Sequence, residues 1–104
     1  MLSALLVQAA EARSVLRFVY DDKPRDVEIH AVGNTAKGEL IIRGWQTNAD
    51  PPAWKLFKAE KIFDLTVDFS VVNEAPRPGY KAGDKAMAEI LFQLPEPARL
   101  AEAA

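Results

Sequence analysis

Short runs of two-residue alternation, each closed by a turn signal, constrain this chain more than any other feature. Leu16, Phe18 and Tyr20 alternate with Val15, Arg17 and Val19, the pattern of a strand with one face turned inward. Asp21-Asp22-Lys23-Pro24 then reads as a turn. Arg25 to Val32 alternates again, with Val27, Ile29 and Ala31 on one side and Asp26, Glu28 and His30 on the other. Gly33 to Gly38 is a second turn region. Glu39 to Thr47 reads as a third strand, apolar on both faces at Leu40, Ile41 and Ile42, which suits an internal position. The loop Asn48 to Pro52 carries two prolines that cannot join a ladder. Trp54 to Ala59 and Ile62 to Val72 complete five strands.

Helical spacing occurs at both ends. Leu2, Leu5, Leu6 and Ala9 predict a helix over Ser3 to Arg13, with Ser3 as its cap. After the rigid connector Pro76-Arg77-Pro78-Gly79-Tyr80, a second helix is expected from Asp84 to about Leu94. Met87, Ile90, Leu91 and Leu94 lie on its apolar face, and Pro95-Glu96-Pro97 stops it. Residues 98–104 are expected to fray. The expectation is therefore a mainly β (α+β) domain: an N-terminal helix, a five-strand meander closed into a small barrel or sandwich, and a C-terminal helix. Residues 1–75 would form the helix and barrel, and residues 76–104 the connector and helix packed on the same domain.

Composition removes several kinds of chemistry. The 104 residues contain no cysteine, so disulfides, thiolate metal sites and a cysteine nucleophile are excluded. A lone histidine, His30, argues against zinc. Ser3, Ser14 and Ser70 lack nucleophile-elbow glycines, no two carboxylates have acid–base spacing, and Gly33 to Gly38 lacks the Lys-Ser/Thr of a phosphate loop. No enzyme activity and no cofactor are expected. The net charge of −2 does not suit a nucleic-acid binder that relies on bulk charge. Leu2 to Ala10 is too short to cross a bilayer, and no Lys or Arg precedes Arg13 to make a signal peptide. A cytoplasmic protein with no membrane partner is expected.

What stands out is basic and aromatic residues interleaved on the strands. Arg43 and Trp45 share a strand face; Trp54, Lys55, Phe57, Lys58 and Lys61 cluster after the proline loop; Arg25 and His30 lie on the second strand. Arg and Lys hold phosphates and aromatic rings stack on bases. The plainer alternative is that Trp45, Trp54 and Phe57 are core, that the lysines are solvated or paired with Glu60, and that His30 is structural.

The segment Trp54-Lys55-Leu56-Phe57-Lys58-Ala59-Glu60-Lys61-Ile62 resembles the closing motif of WYL domains, close to Arg-x-Phe-Arg-Leu-Asp-Arg-Ile. Arg17-Phe18-Val19-Tyr20 is similar to that family's first strand, Arg25 to His30 to its second, and Glu39 to Trp45 to the name-giving strand. The likeness covers roughly residues 4 to 70. The Trp-Tyr-Leu triplet itself is missing, His30 replaces a proline, and lysines stand for two motif arginines. The resemblance implies an Sm/SH3-like β-barrel with a ligand-sensing role, often for nucleotides or nucleic acid, in bacterial regulators and defence systems. Such domains usually follow a helix-turn-helix; this chain would be a stand-alone module. Tyr20, Arg25, Lys55 and Lys61 match the family's ligand positions, and Arg43, Trp45 and Lys58 join them from local pattern. Lysine keeps the charge but loses bidentate geometry.

Two functions follow as expectations. One is a regulatory module binding a nucleotide or single-stranded nucleic acid, with Arg25, Arg43, Lys55 and Lys61 converging on one concave face. The other is a protein-interaction or homo-oligomerisation module that uses the apolar face of the C-terminal helix.

Overall fold

A computed structural model describes residues 1–96; the end expected to fray, 98–104, and Pro97 lie outside the described residues. Within them the chain forms one helix and six strands: α1 (Leu2–Glu11), β1 (Val15–Tyr20), β2 (Lys23–Asn34), β3 (Leu40–Gln46), β4 (Ala53–Lys58), a 3-10 turn (Ala59–Lys61), β5 (Phe63–Asp68) and β6 (Glu89–Gln93). All ladders are antiparallel, in the order β4-β3-β2-β1-β5, with β6 added to β2.

Local chemistry explains the first half. α1 starts at Leu2 without a side-chain cap; Ser3, expected to cap it, sits inside its first turn. Leu6, Ala9 and Ala10 are its buried face. Tyr20 pairs with Lys23 across Asp21 and Asp22, whose φ angles of 51° and 61° are the left-handed pair that a two-residue hairpin needs and that aspartate tolerates. Phe57 is 2 % exposed and packs with Leu6, Leu16, Phe18, Val27, Ile29, Val32 and Ile42 in the main core, between α1 and the sheet.

The most enclosed strand is β2, buried from Val27 to Gly33. Its simple alternation fails at His30. The register passes from Ile29↔Gly44 to Ala31↔Arg43, so His30 is an extra residue in a β-bulge. Beyond it the parity reverses. Val27, Ile29 and Val32 face the main core, while Ala31, expected beside Val27 and Ile29, joins Ile41 and Met87 in a separate cluster.

The C-terminal helix does not form. Asp84 Oδ1 accepts the Ala86 N–H at 2.9 Å and Asp84 O accepts the Met87 N–H at 3.1 Å, so the capping aspartate makes one turn only. The chain then extends as β6. The reason is tertiary: β1 pairs with β2 only as far as Glu28, leaving the edge of Ala31–Asn34 open, and β6 fills it. Gly33 allows the approach, because a Cβ there would collide with the Glu89 carbonyl and Met87. Ile90, Leu91 and Phe92 suit a strand as well as a helix.

The sheet is not closed into a barrel, and it has six strands rather than five. Closure would need a ladder between β4 and β5, which end the strand order. They are joined by the tight 3-10 turn, sealed by Ile62 N–H to Ala59 O at 3.1 Å, and β5 leaves it to pair with β1. That strand is also shorter than expected. It stops where the Asp68 carboxylate accepts the Ser70 N–H at 3.0 Å.

Residues 73–94 form a strap that begins beside Arg13 at the end of α1, crosses the sheet face that carries Trp54 and ends in β6, which also touches α1. Asn73 N–H donates to Arg13 O at 2.8 Å, Tyr80 O–H to Leu94 O at 2.7 Å, and Leu94 N–H to His30 O at 3.0 Å. Ala75, Tyr80 and Leu94 form a third apolar cluster with Trp54 and Phe92. Among the described residues, no helix is long and apolar enough to cross a membrane.

Candidate functional site

Cross-strand partners in a pleated sheet point to the same side, and this sorts the expected site residues. Trp45↔Trp54, Arg43↔Leu56 and Ile41↔Lys58 put Arg43, Trp45 and Lys58 on the strap face; Gly44↔Lys55 and Ile42↔Phe57 put Lys55 on the core face. Tyr20 and Arg25 belong to the core face too. The Tyr20 ring meets Phe57 edge-on at 4.9 Å, and the Arg25 guanidinium lies 5.8 Å from both ring centres. Arg25 donates to Tyr20 O at 3.2 Å and Gln46 Oε1 at 3.1 Å, and Tyr20 Oη accepts the Lys58 N–H at 3.2 Å. These groups hold the β1–β4 corner together. Lys58 Nζ pairs with Glu39 at 3.4 Å, not with Glu60. Lys61 stands exposed on the 3-10 turn. Arg25, Arg43, Lys55 and Lys61 are therefore not gathered on one face.

Of the expected residues, Arg43 lines a concave site. A cavity of about 370 Å³ lies between the strap and β3–β4, bounded by Arg43, Trp54, Tyr80, Lys81, Asp84 and Lys85 with the intervening small residues. Trp45 stands just outside, edge-on to Trp54 at 5.3 Å. Gly79 and Gly83, with φ of 91° and 77°, adopt a conformation costly for any side chain and turn Tyr80-Lys81-Ala82 over the opening. The loop is tied down: Ala82 N–H donates to Glu96 Oε1 at 2.9 Å and Gly83 N–H to Gln93 Oε1 at 2.8 Å.

The wall is rich in donors. Arg43 gives Nε to Asp84 Oδ2 at 2.6 Å and Nη2 to Oδ1 at 3.3 Å, and Nη1 makes no hydrogen bond among the described residues. The guanidinium holds the Asp84 carboxyl below the usual range, against an opposing push from burial. Lys81 and Lys85 form no ion pair among the described residues. The Trp54 indole Nε1–H makes no hydrogen bond among them either, and it faces Gly79, where a side chain would approach to 3.4 Å. Arg43, Lys81 and Lys85 outnumber the carboxylates of Asp84 in the wall and Glu96 at the Ala82 N–H.

Behind the aromatic wall lies a buried polar group. His30 is fully buried, with its ring 4.7 Å from Trp54 and 5.3 Å from Tyr80. Nδ1 lies 2.8 Å from Glu28 O and Nε2 lies 3.0 Å from the Arg77 N, whose N–H it accepts. That pattern requires the neutral ring protonated at Nδ1. Glu28, with its side chain 6 % exposed, meets Arg77 at 2.5 and 2.8 Å, and Arg77 also reaches Glu74 at 2.8 Å. His30 is thus structural.

Burial, partly offset by Glu28, lowers the His30 pKa from 6.5. An unfolded histidine titrates near 6.5, so the unfolded chain takes up this proton first. The His30 contribution is complete above about pH 6.5 and is lost as pH falls through the lower folded value. Urea melts from pH 7.5 to 5 should show stability falling with pH, and His30→Gln should flatten that slope. An equal slope in the variant would assign the effect elsewhere. Asp68 and Asp84, whose pKa values are lowered from 3.8, act at more acid pH.

Tyr80, Lys81, Asp84 and Lys85 were missing from the sequence-derived set because Pro76 to Tyr80 reads as a connector and Asp84 as the cap of a helix. The available signal was an aromatic and a lysine between paired glycines, a composition suited to an ordered functional loop. Compared with protein-family models, with curated proteins and with solved structures, the chain matches none.

Proposed function

We propose that this chain is a non-enzymatic, cytoplasmic ligand-binding module of the WYL-like kind, an SH3-type meander with an open β4–β5 seam, and that it takes a nucleotide or the end of a single strand of nucleic acid. The observation that carries the proposal is the cavity in which Trp54 and Tyr80 form an aromatic wall beside Arg43, Lys81 and Lys85. A planar base suits such a wall, and a phosphate suits convergent cations. The site lies on the strap face, apart from the family-matched positions Tyr20, Arg25 and Lys55.

The test is a titration with nucleotides and a short single-stranded DNA, followed by tryptophan fluorescence at two salt concentrations. Binding should weaken as salt rises. Lys81→Ala/Lys85→Ala should weaken it by about tenfold or more, as expected for two lost charge-assisted contacts, while Lys55→Ala/Lys61→Ala should leave it unchanged. Loss of binding in the second variant alone would move the ligand to the family-matched positions.

A second reading, a protein-interaction module, draws on a different surface. Phe63 is 63 % exposed and Val72 64 % exposed, with Phe69 and Val71 also exposed along β5 and the segment after it, more large apolar surface than an unpartnered strand edge usually shows. Self-association at high protein concentration, abolished by Phe63→Lys, would favour it.

A further inference from the structure

We infer that the cavity selects a single nucleoside monophosphate, one base bearing one phosphomonoester dianion, and that Asp84 is the residue that sets this limit. The inference rests on the nucleotide reading and narrows it.

Size and shape favour one base over a strand. A cavity of about 370 Å³ is at the small end of ligand sites. The Trp54 and Tyr80 rings are 6.2 Å apart and inclined at 36°, so they touch each other and leave no slot for a ring between them. Tyr80 is buried behind this contact, so Trp54 is the partly exposed ring on which one base can lie. The next aromatic, Trp45, meets Trp54 at 72°, so it does not continue the same plane as a second platform. Proteins that hold single strands use successive stacking platforms along a basic track. Here the neighbouring strap-face lysine, Lys58, is already paired with Glu39.

Charge favours a dianion. Asp84, with its side chain 12 % exposed, holds Arg43 through both carboxylate oxygens, which leaves Nη1 of Arg43 with Lys81 and Lys85 to meet a phosphate. Arg43, Lys81 and Lys85 outnumber the Asp84 and Glu96 carboxylates, an excess of positive charge that suits a phosphomonoester. A triphosphate would bring surplus negative charge against a half-enclosed carboxylate, where screening is weak. The Trp54 Nε1–H, which lies beside Gly79 and makes no hydrogen bond among the described residues, supplies a neutral donor for a sugar or base acceptor. Asp84 thus positions Arg43 and also rejects excess charge.

Calorimetric titration of the whole protein with adenosine, AMP, ATP and an octadeoxyadenylate lacking terminal phosphates tests this, with GMP, CMP and UMP to cover the bases. AMP or another monophosphate should bind about tenfold tighter than its nucleoside, ATP or the oligonucleotide, the scale of one charge-assisted contact. Asp84→Asn should remove the preference for AMP over ATP. Tighter binding of ATP or the oligonucleotide by the wild-type protein overturns the inference and leaves the nucleotide reading standing. An unchanged AMP-to-ATP ratio in a folded Asp84→Asn overturns the role of Asp84. Should that variant not fold, the wild-type ranking still decides the ligand class. Failure of every probe, adenosine included, removes the nucleotide reading and the inference with it.

Discussion

Replacing Phe57 with alanine is expected to lower the unfolding free energy by about 4 kcal/mol, within the range for emptying a buried aromatic site. Phe57 is 2 % exposed and receives two edge-on rings, Phe18 at 5.0 Å and 87° and Tyr20 at 4.9 Å and 78°. Each such pair adds about 1 kcal/mol beyond area burial. The Arg25 guanidinium closes the same cluster 5.8 Å from the ring centre. Urea denaturation should show a lower midpoint with an unchanged slope. Phe57→Leu, which fills most of the volume but loses both edge-on pairs, should lose about 2 kcal/mol. An alanine variant within about 1.5 kcal/mol of wild type would mean that the surrounding side chains collapse into the space. The same experiment bears on the closing motif, since Phe57 is its central aromatic: a large loss assigns Tyr20, Arg25 and Phe57 to holding the β1–β4 corner.

Arg77→Ala is expected to remove about 3 kcal/mol, a Tm drop of roughly 15 °C. Its partner Glu28 has a side chain only 6 % exposed, and a buried carboxylate stripped of its cation is costly. The figure sits at the low end for broken buried pairs, because Arg77 keeps 26 % of its side-chain exposure. A further result separates this cause from lost packing. Adding Glu28→Gln to Arg77→Ala should recover part of the loss, because a neutral amide is cheaper to bury than an unpaired charge. A deficit unchanged by Glu28→Gln would place the effect in the strap's packing instead.

The strap is where sequence and structure part company. In the first seventy residues, alternation and turn chemistry mark the elements closely. The hairpin at Asp21-Asp22, the proline loop and the buried Leu6 and Ala9 of α1 are all local statements, and each follows from residue type and spacing, although Leu2, expected on the same face, is exposed and Ala10 takes a buried place there. The local failures there are the cap expected at Ser3, the end of β5 at Asp68 instead of Val72, and the reversal after His30, which came from a bulge that residue types do not announce. Past residue 75 the chain's structure is decided by what it meets. Met87, Ile90, Leu91 and Leu94 have helical spacing, yet the open edge of Ala31–Asn34 offers ladder bonds that a surface helix cannot match, and β6 forms.

The candidate site divides along the same line. Basic and aromatic residues were visible on β3 and β4, and Arg43 and Trp54 do line the cavity. The sequence could not show that the matched arginine and tyrosine, Arg25 and Tyr20, lie on the opposite face, because facing depends on strand register. Nor could it show that Tyr80, Lys81 and Lys85 complete the wall from about forty residues away, on a loop bent by Gly79 and Gly83.

By itself, then, the sequence determined the elements of the first half, the absence of any disulfide or thiolate chemistry, and the residue types available for a ligand. Those are properties of composition and of neighbours along the chain. Only the tertiary structure decided that the sheet stays open, that the tail becomes a strand and a strap, and which cations share a cavity. Those outcomes depend on long-range pairing, where the unsatisfied edge of β2 and the buried Glu28 and His30 select their partners from Arg77, β6 and the glycine loop.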